Sequence, residues 1–68
     1  MDHNEAIRKL DHFLIREAGH AQDAAIELEA LIPFLLTDKS RQLAQSQVKA
    51  SHKQAKEFRE LAQKAKET

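Results

Sequence analysis

Residues 30 to 40 read ALIPFLLTDKS and place the only proline of the chain inside its most apolar run. Proline in a helix interior removes a hydrogen bond and clashes with the preceding turn, at ~3 kcal/mol or more, but the first turn of a helix accepts it. Pro33 therefore stops a first helix, kinks it, or opens a short turn before a second one. The polar run TDKS, residues 37 to 40, is the better loop, so we expect the chain to reverse near residue 38.

Both sides of this stretch predict helix. The chain is rich in alanine, leucine, glutamate, glutamine and lysine and has one glycine, no tryptophan and no tyrosine, a composition that favours helix over strand. Apolar residues recur at spacings of three and four, which places them on one side of a helix. In the first half they are Ile7, Leu10, Leu14, Ala18, Ala21, Ala25, Leu28 and Leu31 or Ile32, widened by Phe13 and Ala24. In the second half they are Leu43 or Ala44, Val48, Ser51, Ala55, Phe58, Leu61 or Ala62, and Ala65.

These patterns predict one all-α domain over residues 1–68, a two-helix antiparallel hairpin. Helix 1 spans about 3–35, with a kink or stop at Pro33, the turn spans about 36–39, and helix 2 spans about 39–66. Asp2, with Glu5 three residues later, has the spacing of a capping box at the start of helix 1. Thr37, Asp38 or Ser40 caps helix 2.

A chain of this length is expected to need a partner for its stability. A domain of roughly 60 residues buries only about 60% of the surface that its unfolded chain exposes, and the absence of cysteine rules out disulfide bonds as a substitute. Residues 1–37 carry three basic and seven acidic side chains, whereas residues 38–68 carry eight and four, so the halves have net charges of −4 and +4. We expect two hairpins to dimerise into an antiparallel four-helix bundle.

Two sets of apolar residues predict where a partner binds. Ile15, Gly19 and Ile26 lie off the main stripe of helix 1 on a strip of their own, while Phe34 and Leu36 project near the turn. The alternative interpretations are that isolated isoleucines are ordinary surface residues and that the turn residues close the end of the bundle. We predict a small non-enzymatic regulator, inhibitor or adaptor that binds itself and another protein through these five residues.

The residues of catalysis and metal binding are not in a suitable arrangement. His12 and His20 are eight residues apart, wider than the four-residue spacing that brings two ligands together on one helical turn. His52 lacks the sequence context of a phosphate-accepting histidine. Glu17 is expected to form a structural ion pair, with Arg59 near its level or with His20 one turn away. The sequence therefore predicts no enzyme activity, no metal site and no cofactor.

A basic row on helix 2 supports an alternative function. Arg41, Lys49, Lys53 and Lys56 occur in a segment with no acidic residue between Asp38 and Glu57, so a dimeric hairpin of this kind would bind RNA or DNA through its phosphates. The start of the chain lacks the features of a secretion signal, and the apolar stretch 30–36 is far shorter than the roughly 20 residues needed to cross a bilayer. We expect a cytoplasmic protein without a membrane partner.

Overall fold

The computed structural model describes residues 1–67 and contains two long α-helices. α1 spans His3–Leu31, a 3-10 turn spans Ile32–Phe34, and α2 spans Asp38–Glu67. The helices pack against each other as an antiparallel hairpin with overall dimensions of 53 × 14 × 12 Å. No strand occurs among the described residues. The predicted all-α architecture of two packed helices is therefore confirmed.

Asp2 fixes the start of α1. The backbone N–H of Glu5 donates to Oδ1 of Asp2 at 2.8 Å, and the N–H of Ala6 donates to the Asp2 carbonyl at 3.1 Å. The first N–H groups of a helix have no partner within the helix, so an accepting side chain at this point stabilises the end. The predicted cap at Asp2 is confirmed.

The α-helix stops before Pro33. α1 ends at Leu31, and Pro33 lies in the first residues of the 3-10 turn, where its missing N–H leaves no hydrogen bond unmade. Leu35 then has an extended backbone, and its N–H donates to the carbonyl of Ile32 at 3.1 Å. The apolar pattern continues beyond Leu31, but the α-helical hydrogen bonding does not.

Thr37 caps α2. The N–H of Ser40 donates to Oγ1 of Thr37 at 3.1 Å, and the N–H of Arg41 donates to the Thr37 carbonyl at 3.1 Å. Nε of Arg41 also donates to the carbonyl of Leu35 at 2.8 Å. The turn is thus held by local polar contacts, in the place where the TDKS run predicts the reversal.

The two helices meet along a seam of mostly small side chains. Six of the described residues are buried, and all six belong to it: Leu14, Ala18, Ala25, Ser51, Ala55 and Ala62. Half-buried residues complete the seam: Ile7, Asp11, Ala21, Leu28, Ile32, Ala44, Val48, Phe58 and Ala65. Successive members are three or four residues apart, the 3.5-residue repeat of helices packed as in a coiled coil. Leu14 is the one large buried side chain, so the seam removes little apolar surface from water.

A carboxylate occupies one position of this seam. The sequence pattern assigns Leu10 to the stripe, but Leu10 is 43% exposed and Asp11 takes the seam position. Oδ1 of Asp11 is buried and lies 3.4 Å from Nζ of Lys66, within ion-pair range but without the geometry of a hydrogen bond. Burying a carboxylate oxygen without a hydrogen bond is unfavourable.

We therefore expect Asp11→Leu to stabilise the fold. Leucine would fill a seam position with apolar surface and remove the buried oxygen, for a gain of about 1–3 kcal/mol in the free energy of unfolding. Urea unfolding followed by circular dichroism measures the change. Asp23→Leu, on the exposed side of the same helix, is the matched control and should give no such gain. A loss of stability in the Asp11 variant would show that the ion pair with Lys66 is net favourable.

Candidate interaction surfaces

The seam divides the rest of the hairpin surface into two flanks. Hydrogen bonds between the helices identify the first flank: Arg59 donates to Gln22, and Nε2 of His52 lies 3.2 Å from Oε1 of Glu29. Each of these four residues directly follows a seam residue on its own helix. One residue turns an α-helix by about 100°, so the residues that follow seam positions lie on one side of the hairpin. We call this side the polar flank.

Of the two expected partners of Glu17, His20 lies close to it and Arg59 does not. Arg59 donates to Gln22 on the polar flank. Glu17 precedes the seam residue Ala18, which places it on the opposite side, and its carboxylate lies 3.8 Å from Nδ1 of His20. The sequence predicts only that Glu17 and Arg59 lie at a similar height along the hairpin. It does not predict that their side chains lie on the same flank.

The predicted strip of Ile15, Gly19 and Ile26 belongs to the polar flank. Each of the three directly follows a seam residue, and Ile15 lies seven residues before Gln22 in the same row. The two isoleucines are 49% and 54% exposed. The structure therefore brings these three predicted residues together on one accessible surface.

Gly19 leaves a gap in that surface. A Cβ atom added at this position would have no neighbouring atom within 4 Å, apart from the backbone of its own helix and the adjacent residues, and the residue has ordinary helical backbone angles. No close packing within the hairpin requires the glycine. Glycine in a helix interior costs roughly 1 kcal/mol relative to alanine, so the hairpin loses stability here for no contact of its own.

Gly19→Ala should raise the free energy of unfolding by about 1 kcal/mol, because alanine fits the space and restricts the unfolded chain. Chemical denaturation of the variant measures the gain. Ala30→Gly, at an exposed position of α1, should give a loss of similar size and serves as the matched control. An unchanged or lower stability in Gly19→Ala would show that the glycine makes a contact in the folded protein that alanine prevents.

The second flank carries five large exposed apolar residues among polar and charged ones such as Glu17, Glu27 and Glu57, and the sequence analysis did not single it out. Residues that directly precede seam positions lie on the side opposite the polar flank, and because the polar flanks of the two helices touch each other, these sides also adjoin. Five large apolar residues on this side are 43% to 65% exposed: Leu10, Phe13 and Leu31 of α1 and Leu43 and Leu61 of α2. Ala24 and Ala50, both exposed, lie between them. We call these seven residues the apolar flank.

Pairs of adjacent apolar residues in the sequence made this flank difficult to identify. Leu31–Ile32, Leu43–Ala44 and Leu61–Ala62 each offer two candidates for one seam position. The structure buries or half-buries the second residue of each pair and leaves the leucine on the apolar flank. Alternate steps of four and three residues from Leu14 in α1, and of three and four from Val48 in α2, select the same members. This alternation is the sequence signal that could have found them.

The tip of the hairpin carries two of the most exposed apolar side chains. Phe34 is 79% exposed and Leu36 is 92% exposed. Leu35, between them, is half-buried. Both predicted tip residues are therefore accessible, and neither belongs to the surface that holds Ile15 and Ile26.

The four basic residues of the alternative function do not act as one group. Lys49, Lys53 and Lys56 are exposed on α2 and make no ion pair or hydrogen bond with any residue in 1–67. Arg41, in contrast, holds the turn through its hydrogen bond to the Leu35 carbonyl. The structure leaves three lysines available for an anionic ligand.

Few groups that support catalysis come together. In residues 1–67 no three histidine, aspartate or glutamate side chains are arranged so that they could hold a metal ion. A depression on the first turns of α1 is lined by Glu5, Arg8, Lys9 and His12, and the last three of these are exposed. His52 lies beside Glu29 on the polar flank, as part of a pair rather than a cluster of three.

Comparison with known proteins adds no further information about the surfaces. No protein-family model matches the chain, and neither the curated proteins nor the solved structures include a match. Within residues 1–67 neither helix combines the length and the apolar character needed to cross a membrane.

Proposed function

We propose that the protein is a non-enzymatic protein-binding module whose first partner is a second copy of itself. Two hairpins pair through their apolar flanks and form a four-helix bundle. One observation supports this most strongly. The seam buries one leucine and five small side chains, whereas five large apolar residues remain about half exposed on a single side. A hairpin that shelters so little apolar surface gains most by covering this flank.

The energies support a reversible dimer. Complete burial of a leucine or phenylalanine side chain contributes about 1.5–3 kcal/mol. The five residues are already about half buried, so an interface that covers them in both copies contributes on the order of 10 kcal/mol. Association costs ~4–15 kcal/mol in lost freedom. A dissociation constant of 1 μM needs a net gain of about 8 kcal/mol, so we expect the dimer to form at micromolar concentrations only if the association cost is near the low end of its range.

The polar flank and the tip then remain available to another protein. Ile15 and Ile26 lie on the side that faces away from the second copy, with bare backbone at Gly19 between them. Leu36 projects from the tip. In this proposal these residues bind the protein that the dimer regulates, inhibits or connects. The depression beside Arg8, Lys9 and His12 is open to solvent, which favours binding over catalysis.

Thermal unfolding over a range of protein concentrations tests the proposed self-association. Because unfolding of a dimer releases two chains, its midpoint should rise by roughly 5–10 °C for each hundredfold increase in concentration. Circular dichroism at 222 nm follows the transition. A midpoint that does not depend on concentration would remove the proposal.

A second candidate function is binding of RNA or DNA by Lys49, Lys53 and Lys56, supported by their exposure and lack of partners. An electrophoretic mobility shift with duplex RNA and DNA should then show affinity that falls steeply with salt. Replacing the three lysines with glutamine should abolish the shift, while glutamine at Lys9 and Lys64, exposed elsewhere, should not. No shift by the wild type at low salt eliminates this candidate.

A further inference from the structure

Two arrangements with two-fold symmetry bring the apolar flanks of two hairpins together. If the axis runs along the hairpin, both tips lie at the same end and α1 packs beside α2 of the second copy. If the axis runs across the hairpin, the tips lie at opposite ends, α1 packs beside α1, and α2 packs beside α2. Neighbouring helices are antiparallel in both cases, so helix direction does not choose between them.

Charge favours the first arrangement. Residues 1–37, which include α1, have a net charge of −4, and residues 38–68, which include α2, have a net charge of +4. With tips together, each helix has only oppositely charged helices as its nearest neighbours. With tips apart, α1 lies beside α1 and α2 beside α2, and like charges within about one Debye length, ~8–10 Å, repel. Glu17 does not discriminate, because it faces a glutamate of the second copy in either case.

The sizes of the side chains are compatible with this arrangement, although the arrangement with tips apart also pairs Phe13 with Leu31 and Leu43 with Leu61. A two-fold axis along the hairpin preserves height, so α1 meets α2 of the second copy within about two helical turns of the register that the pairs Gln22–Arg59 and Glu29–His52 set within the hairpin. At a single register, Phe13 then lies opposite Leu61, Ala24 opposite Ala50, and Leu31 opposite Leu43. Large residues meet large ones at two levels and alanine meets alanine between them, while Leu10 lies opposite Lys64.

We infer that the dimer joins the apolar flanks of two hairpins with both tips at the same end, so that α1 of each copy packs beside α2 of the other. This inference rests on the proposed self-association and adds its geometry. It also brings the exposed Phe34 and Leu36 side chains of both copies to one end of the bundle, where they form a single apolar surface with two-fold symmetry.

A distance between two spin labels tests the arrangement. The chain contains no cysteine, so a nitroxide attached to Lys39→Cys, an exposed position beside the tip, gives one label per copy. With helix axes ~8–10 Å apart, pulsed electron–electron double resonance should give a distance between the two labels of roughly 2–3 nm if the tips are together. If they are apart, the two positions are separated along the bundle by most of the length of α2, about 40 Å, and the labels should be roughly 4–5 nm apart. Lys56→Cys, near the middle of the hairpin, is the matched control, because its distance is short in both arrangements.

Each outcome separates this inference from the proposed function. Short distances for both labels support the inferred geometry. A short distance for the middle label with a long one for the tip label overturns the geometry and leaves the dimer intact. Absence of dipolar coupling for both labels, with sedimentation showing a monomer, overturns the proposed self-association and the inference together.

Salt dependence gives a second measurement on the unlabelled protein. If oppositely charged helices are neighbours, screening weakens their attraction, and the dissociation constant should rise between low and high ionic strength. If like helices are neighbours, screening reduces repulsion and the constant should fall. A fall would contradict the inferred arrangement even if the protein is dimeric.

Discussion

Replacing Ala25 with leucine should disrupt packing between the helices and strongly destabilise the fold. Ala25 has an exposed fraction of 0%, and the buried alanines Ala18 and Ala55 belong to the same seam. Three added carbon atoms at this level have no space unless the two backbones move apart. Overpacking of a core typically costs about 1–3 kcal/mol, a large part of the stability that a domain below ~70–80 residues usually has. Urea unfolding monitored by circular dichroism measures the loss.

Ala30→Leu is the matched control for this substitution. Ala30 is exposed on the same helix, so the same chemical change there should alter the free energy of unfolding only slightly. If Ala25→Leu were as stable as the control, the helices would not depend on small residues in the seam for their close approach, and the description of the core would be wrong.

Lysine at Phe13 and Leu31 together should convert the dimer to a monomer. Both residues lie on the apolar flank and are 47% and 54% exposed in the single hairpin. Two copies of the variant would have to bury four ammonium groups in an apolar interface, which is unfavourable, so the interface should not form. We expect the dissociation constant to rise at least a hundredfold, an effect of about 2.7 kcal/mol. Sedimentation velocity over a concentration series measures the change, with circular dichroism to follow helicity.

The control double variant carries lysine at Ile15 and Ile26. These residues are as exposed as the first pair but lie on the polar flank, so the dimer should persist. The opposite result, dissociation by Ile15→Lys with Ile26→Lys and no effect at Phe13 and Leu31, would move the interface to the strip that the sequence first suggested. Loss of the dimer in both variants would indicate that the flanks do not act separately.

Local signals in the sequence predict much of the fold. Asp2 followed by Glu5 marks the start of α1, Pro33 excludes further α-helix, and Thr37 has the side chain that caps α2. Each of these signals acts over three or four residues, within one turn of backbone. The spacing of apolar residues adds the side on which each helix packs, and together these features predict a hairpin.

The candidate site was less predictable, because it depends on which of two adjacent residues enters the seam. Periodicity places Leu31 and Ile32 almost equally well on the buried side, and the choice follows from close packing against the other helix. Asp11 enters the seam in place of the more apolar Leu10 for the same reason. The contact between Glu29 and His52 joins residues 23 positions apart, which no local pattern indicates. The apolar flank therefore follows from the strict alternation of seam positions, which apolarity at single positions does not reveal.

The mass of the wild-type protein in solution tests the central claim most directly. Sedimentation equilibrium at micromolar concentrations should give twice the chain mass of 7.8 kDa, in reversible exchange with the single chain on dilution. A well-folded, fully helical species that remains at 7.8 kDa throughout this range would contradict the account, because the exposed flank would then be stable without a partner.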